Sequence, residues 1–152
     1  MILSPGRRYA FVHIPKTGGT AMALALEARA MKDDILIGNT PKAKRRKARL
    51  QGLTAPGRLW KHSRLCDVEG ICDMTDWRIF TLVRNPWDRM VSYYHWLQAQ
   101  TFAHRAVTLA QSYDFSAFLN HPHTVASLLA QPYASYVTDA AGVMRGTDFI
   151  RL

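Results

Sequence analysis

The chain has 152 residues, of which 48% are apolar and 11% aromatic, and its 20 Lys and Arg outnumber 11 Asp and Glu to give a net charge of +9. This composition excludes an intrinsically disordered chain and favours a single globular domain that binds anionic partners. Cys66 and Cys72 provide neither a disulfide framework nor a zinc-ligand spacing. Because no segment is apolar enough to span a membrane and residues 5–8 interrupt the N-terminal apolar run, we expect a soluble, cytoplasmic protein without membrane insertion.

The first half of the chain predicts strands, a helix and one strongly basic segment. The stretch YAFVHI (9–14) is rich in β-branched and aromatic residues and predicts a central strand. TAMALALEARAM (20–31) predicts a helix with Thr20 near its N-cap. Lys and Arg fill most of positions 42–49. Three further short elements are expected: a strand over DILIG (34–38), a brief strand at 59–61 and an amphipathic helix over 63–72.

The second half predicts one more buried strand and a long helix. WRIFTLV (77–83) is the strand, and a helix is expected from Pro86 to about Gln100 because Asn85 is a good N-cap and Pro suits the first helical position. A short helix capped by Asp114 (114–121) and a strand beginning in GTDFIRL (146–152) are expected further on. The long helix is predicted to bury four apolar or aromatic side chains, namely Trp87, Met90, Val91 and Tyr94.

Strands that alternate with helices predict an α/β domain with a parallel sheet. Ligands of such sheets bind at the carboxyl ends of the strands. The polar turns that follow the strands 9–14 and 77–83 are therefore expected at the same edge of the sheet.

The turn PKTGGT (15–20) has the composition of an anion-binding loop. Backbone N–H groups in a glycine turn before a helix form a concave anion site, to which Lys16 adds a mobile charge and Thr17 and Thr20 add hydroxyl groups. A Walker loop is not matched, because Lys16 precedes Gly18 and Gly19 instead of following them. The alternative is a tight turn that only begins a helix.

The second polar segment is VRNPWDRMVSYY (83–94). Arg84 lies where a strand is expected to end, and Ser92 lies about two turns along the next helix. A guanidinium fork with a hydroxyl group suits a phosphate monoester. In the alternative interpretation, Arg84 and Arg89 form ordinary ion pairs, for instance with Asp88.

Together, IPKTGGT and VRNPWDRMVSYY resemble the sulfotransferases that use 3′-phosphoadenosine 5′-phosphosulfate (PAPS), in particular the branch of carbohydrate sulfotransferases and their bacterial relatives. In that family the first loop binds the 5′-phosphosulfate, and an R-N-P-x-x-R-x-x-S-x-Y segment binds the 3′-phosphate. The second pattern is matched by Arg84, Asn85, Pro86, Arg89, Ser92 and Tyr94. The resemblance implies one P-loop-like, three-layer α/β domain over residues 1–152, with a central parallel sheet flanked by helices and a short C-terminus relative to the family.

The resemblance also assigns roles to residues. WKHSRLCDV (60–68) is similar to the family segment that carries a candidate catalytic base, here His62, which without the resemblance is a surface histidine beside Lys61. Lys16 is implied to meet the oxygen that bridges phosphorus and sulfur. The implied donor is PAPS, the implied acceptor is a carbohydrate hydroxyl group, and no metal is needed. The implied cofactor-binding residues are Lys16, Thr17, Gly18, Gly19, Thr20, Arg84 and Ser92.

Other functions stay open at this stage. The chain could be a relative that binds the nucleotide without completing an acceptor site, or a P-loop kinase that uses ATP. No nucleic-acid partner is expected, because no aromatic and basic platform of a recognised kind is present. The basic run 42–49 is either solvated or an acceptor-side patch for an anionic glycan. Asp139 and Asp148 are candidates for second bases or helix caps, and HPH (121–123) is expected to be a solvated turn.

Overall fold

Five strands form one open sheet in the computed structural model, which describes residues 1–152. The strands are β1 (Ile2–Ser4), β2 (Tyr9–Val12), β3 (Ile35–Leu36), β4 (Arg78–Val83) and β5 (Asp148–Arg151). Their order in the sheet is β3-β1-β2-β4-β5. The seven α-helices are α1 (Gly19–Ala28), α2 (Pro41–Arg45), α3 (Pro86–Gln98), α4 (Arg105–Ser112), α5 (Phe115–Asn120), α6 (Pro122–Ala130) and α7 (Tyr133–Tyr136).

The sheet is mixed, and the expectation of a wholly parallel sheet is wrong in this respect. β2, β4 and β5 pair in parallel, with Phe11 opposite Phe80 and Thr81 opposite Phe149. β1 pairs antiparallel with both β2 and β3. The connection from β1 to β2 is one turn of 3-10 helix (Pro5–Arg7), and so short a connection can join only antiparallel strands. β1 was not predicted, because three residues give too little pattern.

The chain divides into two compact units, residues 1–83 with 133–152, and residues 84–132. In the first unit the strands alternate their side chains between two cores. Phe11 packs with Ala23 of α1 and Ala43 of α2 on one face of the sheet. Val12 belongs to the core of the opposite face, which the irregular segment 59–77 and the residues around α7 cover. Both faces of β2 are therefore buried.

The second unit is a small helical core formed by α3 to α5. Phe118 is fully buried and contacts the Tyr94 ring, with 5.3 Å between ring centroids. The Tyr94 hydroxyl donates a hydrogen bond of 2.8 Å to the Tyr113 carbonyl. Met90 and Tyr94 are buried as predicted, but Trp87 is 73% exposed and Val91 is 42% exposed. The prediction of a buried Trp87 and Val91 is therefore wrong for this structure, since within the helical unit the core lies along one side of α3.

The helices expected after Asn85 and Asp114 and the strands expected over 34–38 and within 146–152 are confirmed as α3, α5, β3 and β5, whereas other expected elements are wrong. Asn85 and Asp114 cap their helices through hydrogen bonds to the N–H groups of Trp87 and Ala117. The expected strand at 59–61 is a turn, and the expected helix over 63–72 is one 3-10 turn at Leu65–Asp67. Gly70, at φ 86°, lies within the predicted helix in a conformation that no helix continues through. The expectation of a solvated turn at HPH (121–123) is wrong, because these residues begin α6, and α4 and α7 were not predicted either.

The buried carboxylate of Asp34, which directly precedes β3, connects that strand to the end of β1. The Asp34 side chain is fully buried and accepts hydrogen bonds from Ser4 Oγ at 2.6 Å, Arg7 Nη2 at 2.5 Å and the Met31 N–H at 2.9 Å. Each oxygen is thereby satisfied, as a buried carboxylate requires.

We expect Asp34→Ala to lower the free energy of unfolding by about 2–4 kcal/mol, because it removes hydrogen bonds to a charged group and leaves Arg7 without its carboxylate partner. The lower end of this range takes into account that the Arg7 side chain is 33% exposed, so water can hydrate its charge once Asp34 is removed. Urea denaturation measures the effect. The matched control is Asp76→Ala, which breaks an exposed pair with Arg8 and should cost less than about 1 kcal/mol; equal losses in both variants would contradict the prediction.

Candidate functional site

The turn between β2 and α1 has an unusual backbone. Lys16 and Gly18 both have positive φ, at 67° and 73°. The left-handed conformation is strained for a lysine and is commonly found at functional sites. The two residues turn the chain sharply, so that α1 begins directly at Gly19.

The start of α1 presents backbone N–H groups. The first helical hydrogen bond runs from the Ala21 N–H to the Gly18 carbonyl at 3.1 Å, and no side chain caps the helix. The N–H groups of Gly19 and Thr20 precede this bond and have no carbonyl partner within the helix. Gly18 and Thr20 are exposed. Together with the positive end of the helix dipole, these groups can bind an anion.

Thr17 stabilises the loop from inside. Its side chain is fully buried, and the hydroxyl donates a hydrogen bond of 2.9 Å to the Ile14 carbonyl. Because the whole residue is 0% exposed, the Thr17 hydroxyl cannot reach a ligand in this conformation, contrary to the expectation, whereas the exposed Thr20 can offer both its N–H and its hydroxyl group.

Gly19 is required because an aromatic ring lies against it. A Cβ atom at position 19 would come within 2.2 Å of Cδ2 of His13. His13 is 5% exposed and follows β2 directly. Its ring therefore fixes how closely α1 approaches the end of the strand, which sequence analysis did not show because a histidine in an apolar strand carries no distinct signal.

The structure brings His62 to the same place. His62 Nδ1 lies 2.7 Å from the His13 carbonyl oxygen, and the two imidazole rings meet edge to face with 4.6 Å between centroids. Because a carbonyl oxygen only accepts, Nδ1 carries the proton, and in the neutral ring the lone pair is on Nε2. This tautomer suits a general base that acts through Nε2.

A buried serine and a tryptophan hold the His62 segment. Ser63 is fully buried; its hydroxyl lies 2.7 Å from the Arg58 carbonyl oxygen and accepts from the Trp60 N–H at 2.9 Å. The Trp60 ring contacts His62 edge to face at 5.0 Å, and the Arg58 guanidinium lies over Trp60 at 5.3 Å. Sequence analysis did not assign a role to Trp60 or Arg58.

His13 itself is unsuited to proton transfer near neutral pH. Burial, together with the smaller effects of the neighbouring charges of His62, the N-terminal amino group and Lys61, lowers the pKa of His13 to about 3. The ring is neutral in the folded protein over the physiological range. It therefore acts through its carbonyl and its packing.

Arg84 and Ser92 belong to the helical unit. Arg84 is its first residue and is half-buried, as are Arg89 and Ser92 on α3. The Arg89 N–H donates to the Asn85 carbonyl at 2.9 Å and closes the first turn of α3. Arg84, Arg89 and Ser92 therefore occupy the beginning and the first half of one capped helix.

The other candidate side chains have structural partners. Asp148 accepts two hydrogen bonds from Arg78, at 2.6 and 2.9 Å, which lower its pKa to about 2 and make it a poor base. Asp139 accepts from the Val143 N–H at 2.8 Å. No group of three or more His, Cys, Asp or Glu side chains is arranged to hold a metal ion. No helix is both long and apolar enough to cross a membrane.

Comparison of the chain with known protein families, curated proteins and solved structures gave no match. Functional conclusions therefore depend on the residues themselves.

We expect the burial of neutral His13 to make the protein less stable in acid. The unfolded chain protonates this residue near pH 6.5 and the folded chain only near pH 3, so the unfolded state binds more protons between these values. The stability that neutral His13 contributes to the folded protein is fully present above pH 6.5. It is lost as pH falls towards 3, at up to about 1.4 kcal/mol per pH unit. Urea denaturation from pH 7 to 4 should show this slope, and His13→Phe should reduce it; identical slopes in both proteins would contradict the assignment.

Proposed function

We propose that this chain transfers a sulfuryl group from PAPS to a hydroxyl group of a carbohydrate acceptor. The single observation that supports this most is that His62 contacts His13, whose ring lies against Gly19 of the PKTGGT loop and whose carbonyl accepts the Nδ1 proton of His62. A candidate base and a candidate anion loop, separated by more than forty residues in sequence, are thus neighbours in the fold. The proposal includes the P-loop-like, three-layer architecture that the resemblance implies.

The loop residues are assigned to the 5′-phosphosulfate. Backbone N–H groups of Gly18, Gly19 and Thr20 would bind its oxygens, and Lys16 would supply the positive charge. A fit to an anion is supported by the uncapped start of α1.

The 3′-phosphate is assigned to Arg84 and Ser92, on the resemblance alone. A guanidinium group provides several N–H donors in a fixed plane, and a hydroxyl adds one more. Tyr94, which also matches the family pattern, is buried and donates to the Tyr113 carbonyl, so it supports the helix in this structure.

In the proposed reaction, His62 Nε2 accepts the proton of the acceptor hydroxyl as that oxygen forms a bond to sulfur. The bond between sulfur and the bridging phosphate oxygen breaks, and Lys16 stabilises the negative charge that develops there. The products are a sulfate ester, 3′-phosphoadenosine 5′-phosphate (PAP) and a protonated His62. Such a displacement depends on positioning and charge stabilisation, and the resemblance implies that no metal takes part.

We expect the chain to bind PAP in the presence of EDTA, and to bind ATP at least 10-fold more weakly. Lys16→Ala and Arg84→Ala should each weaken PAP binding by about 10-fold or more, since each removes a charge-assisted hydrogen bond to phosphate. Isothermal titration calorimetry measures these affinities, and Lys47→Ala, an exposed lysine on a different segment, is the matched control. Tighter binding of ATP that requires Mg²⁺ would favour a kinase, and no binding of PAP would overturn the proposal.

We expect His62→Ala to leave PAP affinity within about twofold and to lower sulfuryl transfer by about 10²–10⁴-fold, the range for loss of a general base. The measurement is transfer of radiolabelled sulfate from PAPS to a panel of polysaccharides. His95→Ala, which replaces an exposed histidine of α3, is the control. Wild-type protein that binds PAP but modifies no acceptor would support the binding-only alternative, and full activity of His62→Ala would exclude His62 as the base.

A further inference from the structure

The basic segment, residues 41–50, directs three of its cations inwards. Lys42 Nζ donates to the Glu27 carbonyl, Arg46 Nη1 to the Met31 carbonyl at 2.7 Å, and Arg49 Nη1 to the Lys32 carbonyl at 2.6 Å. These carbonyls lie in and after the last turn of α1, at the negative end of the helix dipole. Lys42, Arg46 and Arg49 therefore attach the basic segment to α1.

The remaining cations of the basic segment face solvent. Lys44, Arg45 and Lys47 are exposed, and their side chains form no hydrogen bond or ion pair. Like charges this close in sequence repel one another and stabilise nothing within the chain. An external polyanion would relieve that repulsion.

A cavity of about 380 Å³ adjoins the same segment. Its lining residues include three cations, three apolar side chains and two carboxylates, namely Lys32, Arg46 and Arg49, then Ile35, Leu36 and Leu50, and finally Asp33 and Asp34. The volume lies within the range of small-molecule sites, which is about 300–1,000 Å³.

The acidic residues of this cavity are already engaged elsewhere. Asp34 accepts from Ser4, Arg7 and Met31, and Asp33 accepts from the Gly6 N–H at 2.8 Å. Arg46 and Arg49 each bind carbonyls through Nη1 alone and form no ion pair. A guanidinium has five N–H donors, so both arginines retain donors for an anion.

We propose that this cavity and the outward cations of the basic segment bind one stretch of an anionic polysaccharide, away from its reacting sugar, because the cavity adjoins the end of α1 opposite the PKTGGT loop. The polymer is the acceptor of the proposed sulfuryl transfer. The inference rests on the proposed function. The cavity would take one carboxylate or sulfate group against Arg46 and Arg49, with the sugar ring against the apolar lining residues Ile35 and Leu50. Lys44, Arg45 and Lys47 would meet further charges of the polymer. A nucleic acid is disfavoured because residues 41–50 contain no aromatic side chain on which bases could stack.

The test is titration with heparin oligosaccharides at 0.15 M salt, with uncharged dextran and single-stranded oligodeoxythymidine as comparison probes. The outward variant combines Lys44→Gln, Arg45→Gln and Lys47→Gln; the cavity variant is Lys32→Gln. A matched control removes the same charge elsewhere through Arg29→Gln, Arg105→Gln and Arg151→Gln, three exposed arginines. None of these side chains has a hydrogen-bond partner, so folding should be preserved, and PAP titration of each protein provides a second measurement.

We expect the outward variant to weaken heparin binding by about 10-fold or more, the cavity variant by about 3-fold, and the control by less than twofold. PAP affinity should be unchanged in all three. Equal losses of heparin affinity in the outward and control variants would contradict the proposed binding surface, because heparin binding would then depend only on the net charge of the protein. Oligodeoxythymidine that binds as tightly as heparin would overturn the choice of a glycan. If the protein binds no PAP but binds heparin through the outward cations, the proposed function and the acceptor role are overturned. The polysaccharide-binding surface itself would then still be supported.

Discussion

The position of the His13 ring determines much of the geometry around the candidate site. The ring is buried directly after β2 and lies where a Cβ of residue 19 would be, so α1 can begin there only with glycine. The carbonyl of the same residue accepts the Nδ1 proton of His62. One residue thus sets both the approach of the helix that presents backbone N–H groups and the tautomer of the candidate base. Neither feature needs His13 to be charged.

The features that sequence could predict are those with local causes. Asn85 and Pro86 started α3 where expected, and the β-branched run before Pro15 formed β2, because caps and strand patterns act over a few residues. β1 is only three residues long, and its antiparallel pairing depends on a turn in which Arg8 lies in the left-handed region with φ 52°. The contact of His62 with His13 joins residues far apart in sequence, and nothing local predicts such a pair. Trp87 was misjudged because its apolar character was taken for burial.

The basic run shows how one sequence pattern can have two physical roles. Its charge alone suggested either a solvated segment or a binding patch. In the structure, Lys42, Arg46 and Arg49 bind carbonyls around the end of α1, where positive charge is favourable. Lys44, Arg45 and Lys47 remain exposed. The spacing of the first three, close to a helical repeat, is the signal that separates the structural cations from the rest.

The burial of His13 also has an electrostatic consequence for His62. The two rings are in contact, so a charged His13 would oppose protonation of its neighbour in any proton-transfer step. Burial prevents this, because it keeps His13 neutral down to about pH 3. A neutral ring still supplies the carbonyl acceptor, since that group belongs to the backbone and does not titrate. The His13 carbonyl therefore positions His62 without placing a charge beside it. This arrangement requires a buried His13 ring, and the buried ring in turn requires that residue 19 has no side chain.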